Sequence, residues 1–509
     1  MVRRGERRRG AVAAESSSAS TFVAMRRKFA PSTVLTEDEV REVHHLSLRV
    51  LSEIGLTFHA ESAWDTLEGH GCAVDRSTGN VRFDPAVVEH FVGMSPPDFD
   101  MAARDPAKTV HFGGDSIVWG SASSAPNVVD AERGRRPGTG AALQELIKLG
   151  HMLPTCHLFG GHSVEPIDRP PNTRHLDSVF DWITLSDKVL RVYGIGETRV
   201  DDGLEMIKLG YGIDEDQLRA TPHTMSILNV NSPLLVDEPL LLGSIALAKR
   251  GQATVVSPVA MSGAMSPITA SGSLIQHNAE SIGVSAYLQM EVPGCHLFYG
   301  SLVAAVDMRS GAPAMGVPEA VTGAIAAGQM ARFYAMPYRT WLGSTSNTVD
   351  AQAAYESMMS IMAAHMGGAH FVHHGHGWMQ GGLTTGFEKT MLDADLIEMY
   401  DAIKPRIDLS DADEVIEAIK AVGAGGHFLG SSHTMSRYQS EFHTPKLSDW
   451  RNYEAWAEAG ATRVIDRATV AWKELLETYE EPALDVGRRA ALVDFVERRK
   501  REIGPEDIV

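Results

Sequence analysis

The 509-residue chain is 44% hydrophobic and 22% charged, the balance of an ordinary globular protein with room for a large core. Its formal net charge of -19 disfavours nucleic acid and anionic membranes as partners and leaves cationic small molecules open. Cys72, Cys156 and Cys295 are odd in number and widely separated, so no disulfide framework is expected, and a reducing, cytoplasmic setting is.

Residues 1–20 cluster Arg3, Arg4, Arg7, Arg8 and Arg9 without an apolar h-region, which excludes a secretory signal. A disordered basic tail over 1–30, a transit peptide and a true start at Met25 are the readings left open. Thr36-Glu-Asp-Glu then opens a helix, with Val40, Val43, Leu46, Leu51 and Ile54 on its apolar face and a stop at Gly55. Short alternating pieces at 56–59 and 81–83, a helix at 85–92 and a break at Pro96-Pro97 make 31–108 a small α+β cap.

From 109 to 444 short apolar runs alternate with helical patterns. The strand candidates are 117–119, 157–159, 189–193, 225–230, 253–259, 296–299, 338–342 and 369–373, with helices such as 234–250 and 318–335 between them. That rhythm predicts an α/β protein, a (β/α)8 barrel. A doubly wound sheet is the second reading, but no GxGxxG follows the first strand and no GxxxxGK[ST] occurs. The longest apolar run, 320–336, is interrupted by Gln329 and Arg332, so no membrane span is expected. Residues 445–509 read as helices broken at Pro482, whose apolar face (Trp456, Val464, Ile465, Ala468, Leu475) packs on the barrel or on a second subunit of a homo-oligomer.

Five of the 21 histidines crowd between His365 and His376. Their spacing argues against a metal: His373 and His374 are adjacent, so on a strand they point to opposite faces, and no CxxC or HExxH accompanies them. No metal is expected, with a zinc-dependent methyltransferase or hydrolase kept as the alternative. In a barrel the ligand lies at the carboxyl ends of the strands, which selects Trp119, His162, Asn229, Asn231, Met261, Tyr299, 339–344 and 374–378. Arg339 stands out, because a charge inside a strand needs an anion partner or an outlet to a pocket. The acids Glu280, Glu319, Glu356 and Glu388 sit in helical patterns, where solvated or capping roles are expected.

Several motifs in one order carry a family resemblance: Ser232-Pro-Leu-Leu, Ser-Pro-Val-Ala-Met-Ser-Gly-Ala-Met-Ser at 257–266, Asp307-Met, Gly316-Val-Pro-Glu and Asp350-Ala-Gln-Ala-Ala-Tyr-Glu. They continue with His374, Gly377-Trp-Met-Gln-Gly-Gly-Leu, Phe387-Glu-Lys, 449–456 and Gly460-Ala. Over about 35–480 the chain resembles the trimethylamine methyltransferase family. The resemblance implies a TIM barrel that moves a methyl group from a methylated amine to the cob(I)alamin of a separate corrinoid protein. Archaeal members carry pyrrolysine near the segment matching 343–351, which here reads Gly-Ser-Thr-Ser-Asn-Thr-Val-Asp-Ala. The chain is therefore similar to the branch without pyrrolysine, which includes glycine betaine methyltransferases.

That departure favours a quaternary amine, which leaves as a neutral tertiary amine and needs no proton. A betaine site requires aromatic faces around the ammonium and donors for the carboxylate. Trp119, Tyr299, Trp341 and Trp378 are the cage candidates, Arg339 and His374 the carboxylate donors, Asn229 a supporting hydrogen bond, and Glu280 a counter-charge for the cation. Since the DxHxxG motif of cobalamin-carrier domains is absent, the cobalamin comes on a partner protein. A non-catalytic betaine-binding protein is the reading from another class.

Overall fold

The computed structural model describes residues 22–505, with the side chains of Leu302 and Val303 left aside. The arginine cluster at 3–9 lies outside the described residues. The expected tail over 1–30 is corrected in its described part: Met25–Arg26 pairs antiparallel with Ile117 and Ser116, and the Arg27 guanidinium donates to Ser116 O (3.0 Å) and Ala369 O (2.8 Å).

The chain is α/β. Eight strands run parallel: β1 (Ser116–Ser121), β2 (Leu158–Phe159), β3 (Val189–Leu190), β4 (Met225–Val230), β5 (Ala253–Ser262), β6 (Leu297–Gly300), β7 (Tyr338–Trp341) and β8 (Phe371–His376). β1, β2 and β3 pair in sequence, as do β4 to β8, and β8 returns to pair with β1. Between β3 and β4 a side chain stands in for the ladder. The Thr224 hydroxyl donates to Leu190 O (2.9 Å) and accepts from the Val192 N–H (3.0 Å).

One face of these strands is apolar at their amino ends. Val118, Leu158, Val189, Ile227, Val255, Phe298 and Phe371 form one cluster with Phe99, Met101 and Phe112. The last three come from the hairpin Phe99–Met101/Val110–Phe112, whose rings lie edge-on to Phe298 at 5.1 and 4.8 Å. Side chains on a strand repeat every two residues. The next layer on the same face is therefore Gly120, Gly160, Arg191, Asn229, Ser257, Gly300, Arg339 and His373. Small residues alternate there with long polar ones, and that contrast makes the site.

The cap begins where the sequence predicts it: the Thr36 hydroxyl accepts from the Glu39 N–H, and the Glu39 carboxylate accepts from the Thr36 N–H (2.7 Å), a capping box opening helix Glu37–Arg49. Its sheet (Ala73–Asp75, Asn80–Arg82, Leu56–Phe58) is extended by Leu235–Val236 from the strand region, and cap and body share one core through helix Ala270–Glu291. Helices Val464–Glu477 and Val486–Glu502 pack on the same chain. Arg499 bonds Asp202 at 2.6 Å, and Glu388 accepts from Trp472 (3.0 Å) and Thr469 (2.8 Å). Glu388, expected to be solvated or capping, is thus a buried anchor for the tail. From 403 to 444, assigned to the barrel by sequence, no residue is buried. No helix among the described residues is long and apolar enough to cross a membrane.

Candidate active site

The carboxyl ends of β7 and β8 hold the centre. The Arg339 Nη2–H donates to His373 Nδ1 at 2.6 Å, and its Nη1–H groups reach Ser257 Oγ and Ser301 O, each at 3.2 Å. His373 then carries its proton on Nε2 and donates it to Gly160 O at 3.0 Å. A second guanidinium faces the same space, with Arg191 donating to Gly160 O (2.7 Å) and Ser123 Oγ (3.4 Å). Gly160 is small of necessity, since a Cβ there would lie 2.4 Å from the His373 ring.

Neither arginine makes a direct salt bridge among the described residues, Glu165 acting on Arg191 only from a distance, and both leave a buried Nε–H unpartnered. Burial, with Arg191 adding repulsion, pushes the Arg339 guanidinium down to about 9, so it stays charged at neutral pH. Burial likewise lowers Arg191. His373 and His374 are driven well below the usual imidazole range, first by burial, then for His373 by His374 and for both by the neighbouring guanidiniums, so both are neutral. Two positive charges among neutral donors make this end of the strands electrostatically suited to an anion.

His374 is positioned by an irregularity. It takes φ 60°, and the pairing of β8 with β1 shifts register between Val372 and His376. Such a bulge re-aims a side chain. His373 and His374, expected on opposite faces, therefore stack at 3.7 Å, and His374 stacks on Trp378 at 3.7 Å and 8°. The Ser123 N–H donates to His374 Nδ1 at 3.1 Å. Trp378 meets Trp341 at 82° with centroids 6.1 Å apart, and Ala304, Met315 and Met261 complete that apolar corner. The register is held from behind. Gly377, at φ 91°, donates its N–H to Asp393 (2.7 Å), and Asp393 is paired with Lys389 at 2.5 Å, all of them buried.

The structure thus brings Arg339, His374 and Trp378 together and places Asn229, exposed, beside Ser257 in register on β4. It does not bring Trp119, Tyr299 or Glu280 there. Trp119 and Tyr299 have the parity opposite to Val118 and Phe298 and lie in the cluster between strands and helices. The Tyr299 hydroxyl donates to Asn278 Oδ1 at 2.9 Å. Glu280 accepts from Ser232 Oγ (2.6 Å) and from the Leu234 N–H (2.8 Å), fixing the loop after β4. Arg191, Ser123 and His373 are additions. Arg191 carried the same signal as Arg339, a charge inside a strand candidate, whereas His373 needed knowledge of the bulge. Glu356, expected to be solvated or capping, is buried and accepts from Ser344 Oγ (2.6 Å) and the Thr345 N–H (2.7 Å), holding the loop after β7.

His373 and His376 are committed to hydrogen bonds. His373 uses both nitrogens, and His376 meets Thr155 Oγ1 (2.9 Å) and Gly120 O (3.4 Å). Among the described residues no group of three or more His, Cys, Asp or Glu could hold a metal ion.

Two buried guanidiniums and a pair of crossed tryptophan rings thus stand together at the carboxyl ends of the parallel strands. The family model described as trimethylamine methyltransferase (MTTB) matches residues 2–504, and the chain belongs to that family of methyltransferases. It is 34% identical to a glycine betaine methyltransferase of Desulfitobacterium hafniense, over 93% of this chain and 98% of that one. It is 26% identical to a trimethylamine methyltransferase of Methanosarcina mazei, over 92% and 96%. A solved monomethylamine methyltransferase of Methanosarcina barkeri overlays at TM-score 0.46 with 10% identity, over 88% and 96%, too distant a likeness to argue from.

Proposed function

We propose that the chain moves a methyl group from a quaternary amine, glycine betaine or a similar betaine, to the cob(I)alamin of a separate corrinoid protein in the cytoplasm. The carrying observation is the pair of guanidiniums in no direct salt bridge, Arg191 and Arg339, beside the crossed rings of Trp341 and Trp378. Arg191 and Arg339 hold the carboxylate, and neutral His373 fixes the fork of Arg339 toward it. The tryptophan faces receive the ammonium, an attraction of about 2 kcal/mol or more once water is excluded. His374, stacked between His373 and Trp378, joins the two halves.

The return of β8 to β1 and the shared apolar layer support reading the eight strands as a (β/α)8 barrel, with the cap over 31–108 and the C-terminal helices over 445–509 packed around it. Its mouth is then the side of Asn229, which stays exposed and leaves room for a visiting cofactor. Cob(I)alamin supplies the nucleophile: it displaces the amine nitrogen from the methyl carbon, the C–N electron pair stays on nitrogen, and a neutral tertiary amine leaves. No proton moves, so the residues here orient the methyl and exclude water.

The purified chain, given cob(I)alamin and a panel of quaternary amines, is expected to consume the cob(I)alamin absorbance with a betaine and to leave dimethylglycine from glycine betaine. Betaine binding without that loss would mark a binding protein. A stoichiometric zinc required for turnover would overturn the reading in favour of metal chemistry.

A further inference from the structure

The excursion from 403 to 444 buries none of its residues, yet it is not polar. Ile407, Leu409, Ile419, Leu429, Met435 and Phe442 are each more than half exposed. Its helices Ala412–Val422 and Ser432–Arg437 hold to each other through Arg437 on Glu414 at 2.5 Å and His433 facing Asp411 at 3.4 Å. An isolated amphipathic helix of this length is marginal in water and takes its stability from whatever covers its apolar side. Among the described residues nothing buries these side chains.

The exposed area is that of an interface. Ten large apolar side chains between 403 and 442 are 43–89% exposed. At roughly 150–250 Å² each when fully open, they offer on the order of 1,000 Å². A standard interface takes ~800 Å² from each partner.

Location selects the occupant. Helix Phe387–Asp401 starts after β8 at the carboxyl ends of the strands, so its last turn lies at their amino ends. Asp401 pairs there with Lys28 at 3.3 Å, next to Arg27 on Ser116 O and Ala369 O. The excursion leaves from that remote end and rejoins where the Lys446 and Leu447 N–H groups donate to Asp395 at 2.7 and 3.2 Å. A corrinoid protein has to reach the opposite end, at Asn229. The segment 403–444 holds four Lys/Arg and six Asp/Glu, so two copies meeting there bring both signs of charge to the contact.

We infer that the 403–444 excursion is an arm that pairs with the same arm of a second copy about a two-fold axis, leaving both mouths free. The exclusion of the corrinoid protein rests on the reading of the mouth given above.

The test is sedimentation of the full chain over nanomolar to micromolar concentrations, beside the variant Ile407→Glu/Leu429→Glu and the control Val486→Glu, an exposed apolar residue outside the arm. The wild type and the control are expected as dimers or even-numbered assemblies. The arm variant is expected to associate at least tenfold more weakly while keeping its melting temperature and its methyl transfer to free cob(I)alamin. A wild type monomeric throughout overturns the inference, as does a variant of unchanged mass. A variant that keeps its mass but loses transfer to the corrinoid protein reassigns the arm to that partner. Should the variant not fold, hydrogen exchange of the wild type decides: arm amides protected at high concentration and open on dilution support the pairing, and equal protection overturns it. Failure of methyl transfer leaves the mass measurements intact, so the two readings fail separately.

Discussion

Arg339 is the residue on which the electrostatics turn. A guanidinium nearly removed from water and facing an imidazole, a hydroxyl and a carbonyl is stable only if its charge has a use. Replacing it with methionine, Arg339→Met, removes the charge without leaving a partner acid buried, so the melting temperature is expected to stay within a few degrees. A charge-assisted hydrogen bond contributes about 1.5–3 kcal/mol. The KM for a betaine is therefore expected to rise roughly ten- to a hundredfold, with kcat changed less because carboxylate binding is common to ground and transition states. An equal rise for a quaternary amine lacking a carboxylate would refute the assignment. Arg339 was legible as a charge inside a strand, whereas Arg191, within the strand candidate 189–193, carried the same signal and was missed. Trp119 and Tyr299 were misplaced because both faces of their strands are apolar, so composition gives no parity and only the contacts of Val118 and Phe298 reveal it.

The element that organises the site is β8 with the turn after it. Bulge, left-handed His374 and left-handed Gly377 together bring His373, His374 and Trp378 into one stack. Helix Phe387–Asp401 clamps this geometry with the buried Lys389–Asp393 pair, Lys389 also donating to Ser357 Oγ at 2.8 Å. Asp393→Asn leaves the Lys389 charge without its counter-ion and is expected to cost about 3–5 kcal/mol in a denaturant titration. The double change Lys389→Met/Asp393→Leu is expected to recover most of that stability but not the KM, because the Gly377 N–H has lost its acceptor. Full recovery of both would show that the pair does not position Trp378. The motif Phe387-Glu-Lys was visible in the sequence, and its reach to Gly377 was not, since a hydrogen bond across sixteen residues leaves no local pattern.

At the scale of the molecule the buried histidines set the response to pH. Burial holds His277, His365 and His370 down at about 4, and His157 and His376 at about 3, against 6.5 for a free imidazole. The unfolded chain therefore takes up protons first as pH falls below 6.5. Stability is fully present above that value and is lost through the window down to 3–4. Glu280 and Asp393, raised by burial, act in the opposite direction but only at carboxylate pH. The melting temperature is expected to drop by several degrees between pH 7 and pH 5 in calorimetry. A flat profile would mean that the histidines are not buried neutral.

Composition, periodicity and motif order were enough for the α/β class, the eight parallel strands, the cap helix with its capping box and the family. Each of these is written in local hydrophobic period, in caps, or in short runs of residues. Tertiary structure alone decided which strand face is inside, that adjacent His373 and His374 share a side, that Glu280 and Glu388 anchor loops and tail, and that 403–444 lies outside the core. Those outcomes depend on register, on one bulge and on contacts between residues far apart in the chain, which a linear pattern does not encode.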